Sequence, residues 1–307
     1  MIIRYNKDLS KQDIFANGDE LAQIMGHDRD NDGNRVYNYP DDKKEHVVTI
    51  DNPVLVTNNY RISNLEPSLR DTVFALFSRP VTTTEYDGTK LRFEQKKYTG
   101  AWGPSIDTLL FCRGLEHINL EDVTDAIELG CGSGFLSKYT LDNAPNLENM
   151  TLVDFNKYAI LCAYDNINDP RAMFVTGDAV KYLTGKSYDL ILCNPPYILR
   201  PKSIDDNAYE GLELLHYMIT NADEHLNDGG KIITNISSIS RDEVDKFIED
   251  AGVEAREIDA MEVPLKVYNV LNNEEWMNYL LDGHHLKKER KDGYDYWQRI
   301  AITEITV

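Results

Sequence analysis

The sequence predicts an α/β fold: a mostly parallel sheet of seven strands with helices on both faces, preceded by a smaller N-terminal region. Two observations carry this reading. From residue 123 onward, short apolar runs recur at 125–129, 150–154, 172–176, 188–193, 230–236, 253–259 and 297–305. Between most of them, 135–142, 156–167, 211–226 and 241–251 place apolar residues at helical spacing. Strands alternating with helices form parallel sheets covered on both faces, and ligands bind at the carboxyl ends of such strands.

The elements before this core read differently. Residues 1–65 are polar and irregular, with a short helix expected at 18–25 and strand-like runs at 46–50 and 54–57. A helix is expected at 67–78, where Pro67 suits a first helical position and Leu69, Val73, Leu76 and Phe77 share a face. Residues 82–94 then read as a β-hairpin, because Asp87-Gly88 favours a tight turn with positive φ and Leu91 and Phe93 alternate behind it. We divide the chain into an N-terminal region, 1–100, and a larger domain, 101–307, whose segment 267–293 interrupts the run of strands as an insertion.

Composition narrows the function classes. The chain has 307 residues, with 32 Lys plus Arg against 52 Asp plus Glu, a net charge of −20 that opposes attraction to a phosphate backbone. Basic stretches at 90–97 and 284–291 stand against that average, and solvated faces account for both. No leader and no membrane span are expected, because no run nears the roughly 18 apolar residues that a crossing needs. Cys112, Cys131, Cys162 and Cys193 are widely spaced and form no C-x-x-C pair, which fits a reducing cytoplasm.

The chemistry gathers at strand ends. In AIELGCGSGF, 126–135, an apolar strand ends at Glu128 and the chain turns through Gly130, Cys131, Gly132, Ser133 and Gly134 into a helix. Glycines at such a turn let backbone approach a ligand closely, although alone they also fit a tight turn without ligand. Asp154 ends the next strand 20 residues past Gly134, where a carboxylate can accept from both ribose hydroxyls. Asp178 ends the third and can accept from an adenine amino group, with Phe155 and Ala179 offering apolar contact to the ring. Each aspartate taken singly is equally a helix N-cap, but three acidic strand ends in register point to a bound nucleoside.

The fourth strand ends in Asn194-Pro195-Pro196-Tyr197-Ile198, a rigid loop, since consecutive prolines cannot continue a central ladder. The Asn194 side-chain oxygen and the Pro195 carbonyl can accept both hydrogens of a planar NH2 group, turning its lone pair toward an incoming methyl. Tyr197 can pack on the flat group that carries it.

These motifs in this order, ELGCGSG, Asp154, TGDA and NPPYI, resemble class I S-adenosylmethionine-dependent methyltransferases acting on planar nitrogens, and most closely the HemK-like release-factor glutamine N5-methyltransferases. The hairpin EYDGTKLRF, the stretch GPSIDTLLF at 103–111 and YEGLELL after NPPYI are similar to that subclass too. The resemblance spans residues 70–305 and implies a Rossmann-like seven-stranded sheet. It also implies S-adenosyl-L-methionine as cofactor. Glu128, Gly130, Cys131, Gly132, Ser133 and Gly134 would surround its methionine part, Asp154 the ribose, and Asp178 with Ala179 and Phe155 the adenine. Asn194, Pro195, Pro196 and Tyr197 would be catalytic, and Asn194 would also touch the cofactor. The implied substrate is a protein glutamine, as in a translation release factor. An exocyclic amine of adenine or another nucleobase in RNA or DNA is the alternative, because the same four residues hold a flipped base. A binding module without catalysis is a third reading. The polar segment 1–65 and the insertion 267–293 depart from the subclass, and both are regions that would touch a partner.

Two other features carry less. DRDNDG, 28–33, opens like a calcium loop with Asp28, Asp30 and Asp32 at alternate positions and Gly33 at the sixth. Its twelfth position is Tyr39 rather than Glu, and Pro40 opposes a following helix, so a solvated acidic loop is the reading and no metal is expected. His284-His285 lacks partner ligands at useful spacing and reads as a surface pair.

Overall fold

The computed structural model describes residues 2–5, 27–29, 35–37, 47–50, 81–94, 97–204, 211–265, 267–271, 273–291 and 294–307. The helices expected at 18–25 and 67–78 and the run 54–57 lie outside them. Strands β1 (Ile2–Tyr5), β2 (His27–Arg29), β3 (Arg35–Tyr37) and β4 (Val47–Ile50) precede the hairpin of β5 (Val81–Tyr86) and β6 (Thr89–Glu94). The hairpin turns where the sequence predicts, with Asp87 at φ 45° and Gly88 at φ 83°. It belongs to a sheet of order β4-β1-β5-β6, in which β1 runs parallel to both neighbours; β4 falls in the strand-like run expected at 46–50, whereas β1 forms where an irregular stretch was expected.

The larger domain follows the predicted alternation. Helix α1 (Ile106–Leu115) leads into β7 (Asp125–Leu129), α2 (Phe135–Asn143), β8 (Asn149–Asp154), α3 (Lys157–Asn166), β9 (Ala172–Thr176), α4 (Ala179–Leu183) and β10 (Tyr188–Cys193). The helices α5 (Glu213–Thr220) and α6 (Ala222–His225) precede β11 (Leu226–Ser237), then α7 (Arg241–Ala251) and β12 (Glu254–Pro264). The insertion forms α8 (Tyr268–Leu271), α9 (Glu274–Leu281) and β13 (Lys287–Lys291) before β14 (Tyr294–Thr306).

Seven strands lie in the order β12-β14-β11-β10-β7-β8-β9, the predicted seven-stranded sheet, and β13 adds an eighth by pairing with β14. Strands β11, β10, β7, β8 and β9 are parallel, whereas β14 runs antiparallel between β11 and β12. The chain leaves β7 through β8 to β9 on one side and returns through β10 to β11 on the other. A crevice therefore opens between the carboxyl ends of β7 and β10.

Two apolar clusters cover the two faces, one with Leu109, Leu110 and Phe111 of α1, the other with Leu215, Met218 and Ile219 of α5. The hairpin joins the first cluster through Tyr86, Leu91 and Phe93. Its Tyr86 hydroxyl donates to Glu116 at 2.9 Å and its Thr89 hydroxyl to Asp142 at 2.7 Å. Across from it, Arg113 grips Asp259 with two nitrogens, at 2.5 and 2.9 Å, tying α1 to β12. Among the described residues no helix is long and apolar enough to cross a membrane. The basic stretches are met by acids: Lys97 faces Asp165 at 2.9 Å, Lys287 faces Glu262 at 3.5 Å and Arg290 faces Asp295 at 2.9 Å.

Candidate functional site

A cavity of about 230 Å³ occupies the crevice. Its walls are the loop 100–103, the start of α1, the glycine turn after β7, Asp154–Asn156 after β8, and Asn194–Ile198 after β10. Strand β10 pairs with β7 so that Cys193 lies beside Leu129, which brings the glycine turn and the Asn-Pro-Pro-Tyr loop to the same edge.

The turn requires its glycines. Gly134 adopts φ 80° as the cap of α2, and a Cβ there would come within 2.7 Å of the Ala163 Cβ in α3. A Cβ on Gly132, at φ 52°, would press on the Trp102 carbonyl at 3.2 Å. Backbone itself thus forms this wall of the cavity. Cys131 and Ser133 are buried within the turn, and burial pushes the Cys131 thiol well above its ordinary value, so it stays protonated.

The carboxylates behind the turn hold it in shape. Glu128, only 3% exposed, accepts from the Ser137 backbone N–H at 2.9 Å and from the Ser137 hydroxyl, satisfying a first-turn donor of α2. Burial raises its carboxyl to about 8; the Ser137 bonds oppose this and the nearby Asp154 charge adds to it. Asp154 accepts from the Gly132 N–H at 2.9 Å and the Asn156 N–H at 2.8 Å. Burial raises its carboxyl too, against the pull of those two bonds. Each of its oxygens has a second lone pair, which leaves acceptor capacity for a ligand's hydroxyls. Phe155 follows on the cavity wall, 56% exposed.

Asp178 and Ala179 are not among the cavity walls. The Asp178 side chain caps α4, accepting from the Lys181 N–H at 3.1 Å. Of the calcium-loop candidates, Asp28 lies in β2 opposite Val36, while Asp30, Asp32 and Gly33 lie outside the described residues. Among the described residues no cluster of three or more His, Cys, Asp or Glu side chains is arranged to hold a metal ion. His284 faces Glu243 at 3.8 Å and His285 faces Asp242 at 3.3 Å.

Asn194 shows the most informative geometry. Its Nδ2 donates to Asp107 Oδ2 at 3.1 Å, while its Oδ1 is buried without a partner among the described residues. A buried carbonyl without a donor costs about 1 to 3 kcal/mol, and of the buried unpartnered side-chain atoms among the described residues this is the one on a residue that lines the cavity. Tyr197 lies half-buried beside it, and burial, with the Asp107 charge adding, holds its hydroxyl well above the ordinary range, opposed by the Gln298 amide.

The motifs passed over Asp107 and Gln298, both on the cavity wall. Asp107 lies in the first turn of α1, within the GPSIDT stretch, and an acceptor-only side chain there was the available signal. Gln298 lies in β14, accepts from the Ser237 hydroxyl at 2.6 Å, and has no local motif around it.

Residues 108–253 match the model of the family described as "Methyltransferase small domain". The ribosomal protein uL3 glutamine methyltransferase of Francisella tularensis subsp. tularensis is 28% identical over 137 residues, 39% of this chain and 43% of that protein. The ribosomal RNA large subunit methyltransferase G of Vibrio vulnificus is 32% identical over 124 residues, 38% of this chain and 31% of that protein. The chain thus spans less than half the length of these curated relatives. Among solved structures, wild-type Trm5b from Pyrococcus abyssi aligns with a TM-score of 0.49 at 15% identity, over 75% of this chain and 57% of that one.

Proposed function

We propose that this chain, whose residues 108–253 match a methyltransferase domain, is an S-adenosylmethionine-dependent N-methyltransferase acting on the carboxamide nitrogen of a protein glutamine. The observation that carries this reading is the buried, unpartnered Oδ1 of Asn194 beside the cavity. The donor set fits the cofactor: a glycine turn whose backbone is the wall, and a buried carboxylate at Asp154 with acceptor capacity left for ribose hydroxyls. When bound, S-adenosylmethionine supplies an electrophilic methyl group on a sulfonium.

The residues of the chain then bind and orient. Asn194 Oδ1 and the Pro195 carbonyl accept the two N–H groups of the substrate, which withdraws its nitrogen from conjugation and aims the lone pair along the line of transfer. Tyr197 packs on the flat carboxamide. Phe155 bounds the mouth. Asp178 and Ala179 would meet the adenine edge only from outside the cavity described above.

A nucleobase amine is the second reading, favoured by the matching rRNA methyltransferases and by the same acceptor pair. Net charge argues for protein, since a chain at −20 repels phosphate and attracts basic ribosomal proteins or a release factor. The test is single-turnover transfer of labelled methyl to purified ribosomal proteins, a release factor and ribosomal RNA. Asn194→Ala should lower turnover by roughly 10² to 10³ with cofactor affinity retained. Label in RNA and none in protein would overturn the glutamine assignment.

A further inference from the structure

A carboxamide can present either its oxygen or its NH2 to a ligand, and the two choices have opposite chemistry. For Asn194 to accept from a substrate, something must hold its nitrogen away from the cavity. Asp107 is within reach of that nitrogen, at 3.1 Å, from an element 87 residues earlier in the chain. A carboxylate only accepts, so it bonds Nδ2 and excludes Oδ1, which leaves the amide oxygen of this cavity-lining residue buried and without a partner among the described residues.

The carboxylate is itself held. Its Oδ1 accepts from the Ser105 hydroxyl, leaving Oδ2 for Asn194. Asp107 stands in the first turn of α1, where the helix dipole favours a negative charge. The Ser105 backbone N–H donates to the Thr108 hydroxyl at 3.1 Å, which fixes the entry into that turn. The other wall of the cavity, the Asn-Pro-Pro-Tyr loop, is stiffened by its prolines. The bond from Asn194 to Asp107 thus ties two rigid elements together.

We propose that Asp107 is a positioning residue that sets the orientation of the Asn194 amide, so that the site receives an NH2 group and rejects a carbonyl. The proposal rests on the reading of Asn194 as the acceptor of the substrate's nitrogen. Substrates whose planar group offers only acceptors meet a carbonyl there and are turned away.

The test uses the 307-residue chain with Asp107→Ala, Asp107→Asn, Asn194→Ala and the double variant Asp107→Ala/Asn194→Ala. Side-chain NH2 resonances of Asn194 are read in asparagine-selective 15N spectra and assigned by their loss in Asn194→Ala. In Asp107→Ala their hydrogen exchange should quicken more than tenfold, while the affinity for S-adenosylhomocysteine stays within about twofold. Turnover on the active substrate should fall roughly tenfold to a hundredfold with KM little changed, and Asp107→Asn, which keeps one acceptor oxygen, should recover part of it. The double variant should be no slower than Asn194→Ala alone, within about threefold, because the two act as a unit. Unchanged exchange in Asp107→Ala, wild-type turnover, or multiplying losses in the double variant would overturn the proposal. Should the wild-type chain methylate none of the probes, the functional reading fails, and the exchange measurement still decides whether Asp107 holds Asn194.

Discussion

Glu128 is a residue whose position has a measurable cost. Its carboxyl is buried behind the glycine turn, and burial raises it to about 8 from an ordinary 4.5. Between those values the folded chain keeps the proton that the unfolded chain has released. The stability from this group is therefore fully present below about 4.5 and is lost as pH rises through 8. Glu128→Gln keeps an acceptor for the Ser137 donors and cannot titrate. Urea midpoints should fall more steeply from pH 5 to pH 8 in the wild type than in the variant, by at most about 1.4 kcal/mol per pH unit. Parallel profiles would mean that Glu128 is charged in the folded chain.

At the scale of elements, what was legible in the sequence was what is local. The glycine turn, the two prolines after Asn194 and the Asp87-Gly88 hairpin each follow from adjacent residues, and the strands at 125–129 and 188–193 are found as read. Partners distant in sequence were not legible. The Asn194–Asp107 bond spans 87 residues, and no pattern in either segment announces the other. Strand β1 was hidden for the same reason, since it depends on pairing with the hairpin some 80 residues beyond it, whereas β4 lies in the strand-like run read at 46–50. The insertion is a third case. Its α9 places Trp276, 4% exposed, so that the indole N–H donates to the Leu199 carbonyl at 2.7 Å, two residues past Tyr197. The first residue of the insertion, Val267, lines the cavity with Val263 and Pro264 of β12, so the insertion braces the outer wall of the site. Trp276→Phe keeps an apolar ring and strands that carbonyl, which should cost about 1 to 3 kcal/mol in a denaturant titration. Turnover should fall with it, because the loop carrying Tyr197 loses an anchor, while cofactor affinity holds. A variant equal to wild type in both stability and turnover would remove the insertion from the site.

For the whole molecule the dominant number is the net charge of −20. Under the proposed reading the acceptors at Asn194 and Pro195 serve a glutamine and a base amine alike, so the far field must help to choose the macromolecule that delivers it. Attraction between an acidic enzyme and a basic protein is screened by salt, with a Debye length of about 30 Å at 0.01 M and about 8 Å at 0.15 M. Repulsion between the same enzyme and RNA is screened equally. The two readings therefore predict opposite slopes: kcat/KM on a basic ribosomal protein should fall several-fold between low and physiological salt, roughly tenfold at most, whereas on RNA it should rise. Single-turnover kcat at saturating substrate should move little in either case, since ionic strength acts on the encounter of the two charged molecules rather than on the bound complex. The slope is thus a property of encounter and separates the substrate question from the chemistry at Asn194. A rate on basic protein that climbs with salt would show that local patches, not the summed charge, govern docking, and would return the nucleobase amine to first place.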